Sequence, residues 1–570
     1  MSIPIDFLQA IAKFNYQLNE PLAPYSTWRI GGPAEVLVIV NSAKELEQIV
    51  TLAYFHKVEW VILGQASNVL ISDAGIKGLV IINKSRNAEV LIDETQNTDS
   101  SNQSNLKPTK FQNSKLNYDQ IDQDSQELDI YIAPRHQESG EAGTLKFTDL
   151  DYSETAEIAK VRFDSGMALP LAIAWSFGSQ LTGLQWFAGI PGTIGGALYN
   201  NIHGGTKHFS DYFDSCNVLE VIKPQVLIFA GPSGAGKSTL IKHLLESHPQ
   251  ATLSVSCTTR QPRSGEVDGQ DYHFLTRDEF QTSILNNRML EWEEVYSGDF
   301  YGTSRTATDE ILKQGRTLIF DVDVKGAINL KKHFGHNALA ILVAPPSLEV
   351  LETRLRSRGT ETEAKIQERL AKATWELGFK EEFDHTLINN EWYDTLDNLA
   401  KILSNSTNLV HRTLNKSQMQ FGYDQSLLRQ NSKVVVLNVT LNLLRGDLER
   451  AKKTAQEWTK RKRIQPRVSC GSVFQSITPE QQEEAGIPNS AAGYIVDKIL
   501  NLKGYTVGDA QISPDHGNFI PNLGNAKASD VLIIMKKVML ETYIKIGIKL
   551  VPEINFLGFD SEELNFWQTS

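Results

Sequence analysis

The stretch Val226-Leu227-Ile228-Phe229-Ala230, followed directly by Gly231-Pro232-Ser233-Gly234-Ala235-Gly236-Lys237-Ser238, decides the reading of the middle of this chain. Five apolar residues ending in a glycine-rich turn predict a buried strand. The turn fits GxxxxGK[ST], and STLIKHLLESH after it predicts a helix. Glycines there let backbone N–H groups converge on phosphate oxygens, and the helix N-terminus adds its positive end. Residues Gly231 to Ser238 are therefore the candidate ATP site. Lys237 is expected to reach the β- and γ-phosphates and Ser238 to ligate Mg²⁺.

Outward from this loop the alternation of strand and helix runs to about residue 403. Before it, VLVIV (36–40), WVILG (60–64) and LVIIN (79–83) predict strands, and SAKELEQIVTLAYFHK predicts a helix capped by Ser42. Between about 86 and 160 the texture changes. Of the 32 residues 96–127, 20 are Asn, Gln, Ser or Asp. Such a segment buries too little apolar surface to offset its ordering entropy, which predicts a disordered or loosely ordered surface insertion, with an unusual polar domain as the alternative. Globular patterning resumes with VRFDSG, an apolar helix and the strand CNVLEVI. From 404 a second α+β pattern runs through KVVVLNVTLNLL, the basic helix LERAKKTAQEWTKRKR and a final helix from Ala528.

Composition narrows the classes. A chain of 570 residues predicts about three to five domains. Its 56 Lys and Arg against 68 Asp and Glu give a net charge of -12, which argues against a nucleic-acid or anionic-membrane partner. No apolar run approaches the roughly 18 residues of a spanning helix. The start, MSIPIDFLQAIAKF, has Asp6 where a secretion leader is basic. Three well-separated cysteines exclude a disulfide scaffold and fit a reducing compartment, so a cytoplasmic protein is expected.

After the phosphate loop come Ser256-Cys257-Thr258-Thr259-Arg260-Gln261-Pro262-Arg263-Ser264-Gly265-Glu266 and Tyr272. Paired arginines with a tyrosine suit a phosphate, because guanidinium forks bind its oxygens bidentately. Glu291 in LEWEE, Tyr301-Gly302-Thr303, Asp321 and Asp323 in LIFDVDVKG, and Arg354, Arg358 and Arg369 follow. In this order the segment 223–403 resembles the guanylate kinases. The resemblance implies a GMP site of Ser256, Arg260, Arg263, Glu266, Tyr272, Glu291, Tyr301, Thr303 and Asp323. It implies Mg²⁺ held by Ser238 and Asp321, and arginines at 354, 358 and 369 closing over ATP. One extra residue before Tyr301 leaves Glu291 open against Glu293 and Glu294. Phosphoryl transfer of this kind needs positioning and charge neutralisation rather than a protein nucleophile.

The flanks carry TWRIGGPA (27–34), Gly64-Gln65-Ala66-Ser67-Asn68, Gly189-Ile190-Pro191-Gly192-Thr193-Ile194-Gly195-Gly196 and Asn200-Asn201. Further on stand Gly471-Ser472-Val473-Phe474, His516-Gly517-Asn518-Phe519 and Leu550-Val551-Pro552-Glu553. Together 1–222 and 404–570 resemble UDP-N-acetylenolpyruvoylglucosamine reductase (UDP-N-acetylmuramate dehydrogenase), cut in two. The resemblance implies FAD and NADPH as cofactors and UDP-N-acetylglucosamine enolpyruvate as substrate. FAD is expected between 1–84 and 161–222, held by Gly64, Ser67, Asn68, Gly189, Ile190, Pro191, Gly192, Gly195, Gly196 and Asn200. Ser472 is the implied proton donor, with Glu553 and Tyr423 in the catalytic set. The family favours glycine where this chain has Ala66. It also has an arginine where this chain has Asp424, so another cation, Arg429 or Arg467, is expected to replace it, unless Asp424 points away or the reductase is impaired. The run Lys460-Arg461-Lys462-Arg463 reads either as a diphosphate contact or as a solvated helix end.

The fold class expected is multidomain: an α+β FAD-binding reductase split by an inserted α/β phosphate-loop nucleoside-monophosphate kinase. The expected segments are 1–84 (first FAD subdomain), 85–160 (polar insertion), 161–222 and 404–445 (second FAD subdomain), 223–403 (kinase) and 446–570 (substrate domain). The expected function is bifunctional: reduction for peptidoglycan precursor synthesis, and ATP:GMP phosphotransfer. Two other readings stay open: a reductase carrying a non-catalytic kinase-like binding module, and a flavin oxidase of the same superfamily fused to an active kinase. Oligomeric state is not legible.

Overall fold

A computed structural model describes residues 3–91, 152–153, 156–263, 265–270, 272–294, 298–357, 362–423, 425–431, 433–462, 466 and 468–565. The chain divides into two compact units. One comprises Met1–Leu219 with His411–Ser570, and the other is Glu220–Val410. The second unit thus lies within the sequence of the first, and the chain is multidomain.

In the inner unit a five-stranded sheet runs in the order Ala251–Leu253, Thr317–Asp321, Val226–Ala230, Ala338–Ala344, His385–Ile388. Every neighbouring pair is parallel. Both faces are covered, as parallel sheets require. Val226, Ile228 and Ala230 feed one apolar cluster, and Leu227 and Phe229 the other, by the two-residue alternation of a strand. A second, four-stranded sheet orders His273–Phe274, Cys257–Thr258, Phe300–Ser304 and Met289–Glu294.

The outer unit contains a four-stranded sheet, Gln17–Pro21, Pro33–Val40, Ile76–Asn83, Trp60–Leu63. Ser42 caps the helix Ala43–Phe55, its Oγ accepting from the Glu45 N–H at 3.1 Å. A five-stranded sheet orders Asn408–Asn415, Phe213–Ile222, Val434–Leu444, Ile158–Asp164, Ala88–Leu91. The strands that carry the chain out of this unit and back into it are therefore neighbours. Trp28, Ile30 and Leu70 join the apolar cluster of the C-terminal segment around helix Ala528–Ile546. The Trp28 indole N–H donates to the Ile520 carbonyl at 2.6 Å. Strand Val69–Ile71 pairs in parallel with Asn555–Leu557.

The polar segment expected over 85–160 falls mostly outside the described residues. Its ends correct the expectation. Ala88–Leu91 and Ile158–Asp164 pair antiparallel, because Ala159, Val161 and Phe163 share one buried face. Among the described residues no helix is long and apolar enough to cross a membrane.

Candidate active sites

In a parallel sheet, loops at the carboxyl ends of the strands converge on one side. Ala230, Asp321 and Ile388 end three strands of the inner sheet, and the phosphate loop, Asp321 and Asn389 meet there. Gly231 and Gly236 have φ of 136° and 96°, and a Cβ at either would stand 2.2 Å from Val343 O or Asn389 Nδ2. Only glycine fits. The Asn389 side-chain amide donates to Ala235 O at 2.7 Å, and the Asn389 backbone carbonyl accepts from Arg354 at 3.0 Å. Sequence reasoning missed Asn389. Its signal was its place just beyond the edge strand His385–Ile388.

Lys237 Nζ donates to Gly231 O at 2.6 Å, inside the loop. Burial depresses its pKa, while Asp321, Glu376 and Asp323 favour its charge. Ser238 Oγ donates to Asp321 Oδ2 at 3.1 Å. A hydroxyl beside a carboxylate is the hard-oxygen pair that holds Mg²⁺ when nucleotide phosphates complete its shell, so these residues fit the ion. Arg369 donates to Ser233 Oγ from helix Glu363–Leu377. Pro232, Ser233, Gly234 and Ala235 complete the loop. Arg358 lies outside the described residues.

The candidate monophosphate site lies on the small sheet. Arg260 donates to the Tyr301 hydroxyl at 3.2 Å and to both Glu266 oxygens at 2.9 and 3.0 Å. Its guanidinium lies 5.4 Å from the Tyr272 ring centre. Glu266 also accepts from the Arg263 N–H at 2.7 Å, the main cause that holds its carboxyl below the usual range. Ser256 O accepts from His273 N–H. Thr303 Oγ1 donates to Glu291 Oε1 at 2.8 Å. Glu291 Oε2 and Asp323 Oδ1 stand 3.8 and 3.3 Å from where a Gly326 Cβ would lie. Asp323 additionally caps helix Val324–Phe334 by accepting from Gly326 N–H at 2.8 Å.

The outer unit holds a cavity of about 570 Å³, within the range of cofactor pockets. Gly64, Ser67, Asn68, Gly189, Ile190, Pro191, Gly192, Gly195, Gly196 and Asn200 all line it. So do Ser472 and Glu553, and the lining reaches beyond the expected 1–84 and 161–222 to Leu428, Arg429 and Lys462. The loops brace each other. Ser67 Oγ donates to Pro191 O at 3.2 Å, and Gln65 Oε1 accepts from Gly192 N–H at 2.8 Å. A Cβ on Gly64 would stand 2.7 Å from Thr193. Asn200 Oδ1 is buried without a hydrogen-bond partner. A backbone cradle with an orphaned acceptor fits a large polar cofactor such as FAD, whose donors would satisfy it. Glu553 N–H donates to Val473 O at 2.8 Å, which sets its residue beside the Ser472 turn.

Tyr423 departs from the expectation. It is 62% exposed and absent from the cavity lining, because the tight turn Gly422–Gln425 carries it outward. Its ring stacks on His203 at 5.4 Å, and His203 does line the cavity. Asp424, Arg463 and Arg467 lie outside the described residues. In the basic run, Arg461 pairs with Glu457 at 3.1 Å, whereas Lys462 enters the cavity lining.

Residues 223–406 match the guanylate kinase family model, and residues 464–557 match the C-terminal domain of UDP-N-acetylenolpyruvoylglucosamine reductase. The chain is 47% identical over 182 residues to a guanylate kinase of Synechocystis sp., covering 32% of this chain and 94% of that protein. It is 45% identical over 167 residues to one of Bacteroides fragilis, covering 29% and 82%. A UDP-N-acetylenolpyruvylglucosamine reductase from Thermus caldophilus aligns over 95% of this chain and 98% of its own at 16% identity, with a TM-score of 0.41. Through its inner unit the chain belongs to the guanylate kinase family. It is a fusion, in which that kinase domain is joined to a reductase C-terminal domain.

Proposed function

We propose that the chain is a bifunctional enzyme. The inner unit transfers phosphate from ATP to GMP. The outer unit reduces UDP-N-acetylglucosamine enolpyruvate with NADPH. The carrying observation is that Ser472 and Glu553, far from the glycine loops in sequence, line the same cavity as Gly64, Gly192 and Asn200. The kinase reading is supported by an intact phosphate loop, the Ser238–Asp321 pair and the Arg260 cluster in a member of that family.

In the kinase, Lys237 and the arginines neutralise the transferring phosphoryl group, and Arg260 and Glu291 orient GMP. Ser238 and Asp321 hold Mg²⁺. In the reductase the glycine loops, Ser67, Asn68 and Asn200 hold FAD. Bound flavin supplies hydride transfer from NADPH to the terminal carbon of the enolpyruvyl group. Ser472 Oγ gives a proton to the neighbouring carbon, whose developing negative charge is spread into the substrate's own carboxylate, and Glu553 assists at the enolpyruvyl group.

The kinase is tested by GMP-dependent ADP release. Wild type should release it, and Lys237→Ala should lose at least about 100-fold in turnover. An unchanged variant, or a wild type indifferent to GMP, contradicts the assignment. Acid precipitation of the purified chain should free all its flavin, since no His or Cys of the glycine loops stands as a tether. Colour retained in the pellet contradicts non-covalent binding.

A further inference from the structure

Among the described residues, the reductase cavity has one lining carboxylate, Glu553, and three side chains able to carry positive charge, His203, Arg429 and Lys462. A substrate carboxylate that enters beside Glu553 is repelled unless a cation offsets the pair. Two of the three basic groups sit against aromatic rings. His203 stacks on Tyr423, and the Arg429 guanidinium lies 6.0 Å from the Tyr199 ring.

Lys462 is placed differently. It is the last residue of helix Leu448–Lys462, where the helix dipole alone would favour a solvated cation. Its stem instead lies over Gly189, which has φ 77°. A Cβ on that glycine would stand 3.0 Å from Lys462 Cβ and 3.1 Å from Cγ. The missing side chain thus makes room for the lysine stem, and Lys462 lines the cavity. Burial works against its charge, and Glu553 works for it. The same Glu553 charge, after burial, helps push the neighbouring Cys470 thiol up.

We infer that Lys462 holds the carboxylate of the reductase's acceptor substrate beside Glu553 and Ser472. This rests on the reductase reading above. The flavin-loaded enzyme tests it, with the oxidised flavin spectrum as indicator in equilibrium titrations. The probes are UDP-N-acetylglucosamine enolpyruvate and UDP-N-acetylglucosamine, which has the same diphosphate but no carboxylate. Lys462→Met should weaken the enolpyruvyl compound about 10- to 100-fold, the worth of a charge-assisted hydrogen bond, and leave the control ligand unchanged. Lys462→Arg should restore most of the loss, which separates lost charge from lost packing. Equal weakening of both ligands would assign Lys462 to the diphosphate and overturn the inference. So would a loss seen in Arg429→Met and absent from Lys462→Met. A wild type whose flavin responds to the control ligand alone overturns the reductase reading, and this inference with it.

Discussion

At the scale of the residue, Ala66 shows what a single methyl group costs. It sits in the braced Gly64–Asn68 loop with φ 44° and is 6% exposed. That left-handed conformation strains any residue with a Cβ by about 1–2 kcal/mol. Ala66→Gly should therefore raise stability by about 0.5–1 kcal/mol after the extra chain entropy of glycine is subtracted. Urea unfolding of the flavin-free chain measures it, and a loss of stability would show that the loop relies on alanine for stiffness. Asn389 is the kinase counterpart. It ties Ala235 O to the end of the edge strand and receives Arg354. Asn389→Ala leaves a buried loop carbonyl without its donor, a loss of about 1–3 kcal/mol. The ATP KM should rise about tenfold or more while the GMP KM changes little. Equal changes in both would mean a general loss of fold.

At the scale of the element, the helix Ala43–Phe55 forms where Ser42 and its apolar spacing predict it. Ser42→Ala should cost about 1 kcal/mol of stability, read by thermal unfolding of the outer unit. The strands Trp60–Leu63, Ile76–Asn83 and Val226–Ala230 were equally legible, because each is a short apolar run bounded by turn residues. Pairing was not. Val69–Ile71 binds Asn555–Leu557 through contacts that no local pattern announces. The glycine loops, Ser472 and Glu553 could be named from motifs, since glycine and a positioned acid have few other uses there. Lys462 could not be singled out from Lys460 and Arg461 within one basic run. The close approach of its stem to Gly189 and its place in the cavity lining separate it from Lys460, which is exposed, and from Arg461, which pairs with Glu457. Tyr423 was misplaced for a related reason: a turn of four residues decides whether a ring faces a cavity or solvent.

At the scale of the whole molecule, each unit has its own apolar clusters, and the strands at the junction are neighbours in one sheet. An insertion at such a place leaves the host's sheet continuous. Deleting 220–410 and joining Leu219 to His411 by a short Asn-Gly-containing turn should leave a chain that still binds flavin, checked by its absorbance after gel filtration. A colourless aggregate would mean the host depends on its guest. The claim that the outer cavity carries the reductase chemistry is tested most directly by stopped-flow absorbance of the flavin. NADPH should bleach it, and UDP-N-acetylglucosamine enolpyruvate should restore it. In Ser472→Ala the bleaching should keep its wild-type rate, while the recovery slows by about 100-fold or more, as for a lost general acid. Equal slowing of both steps, or of neither, would contradict the assignment of Ser472 and of the cavity around it.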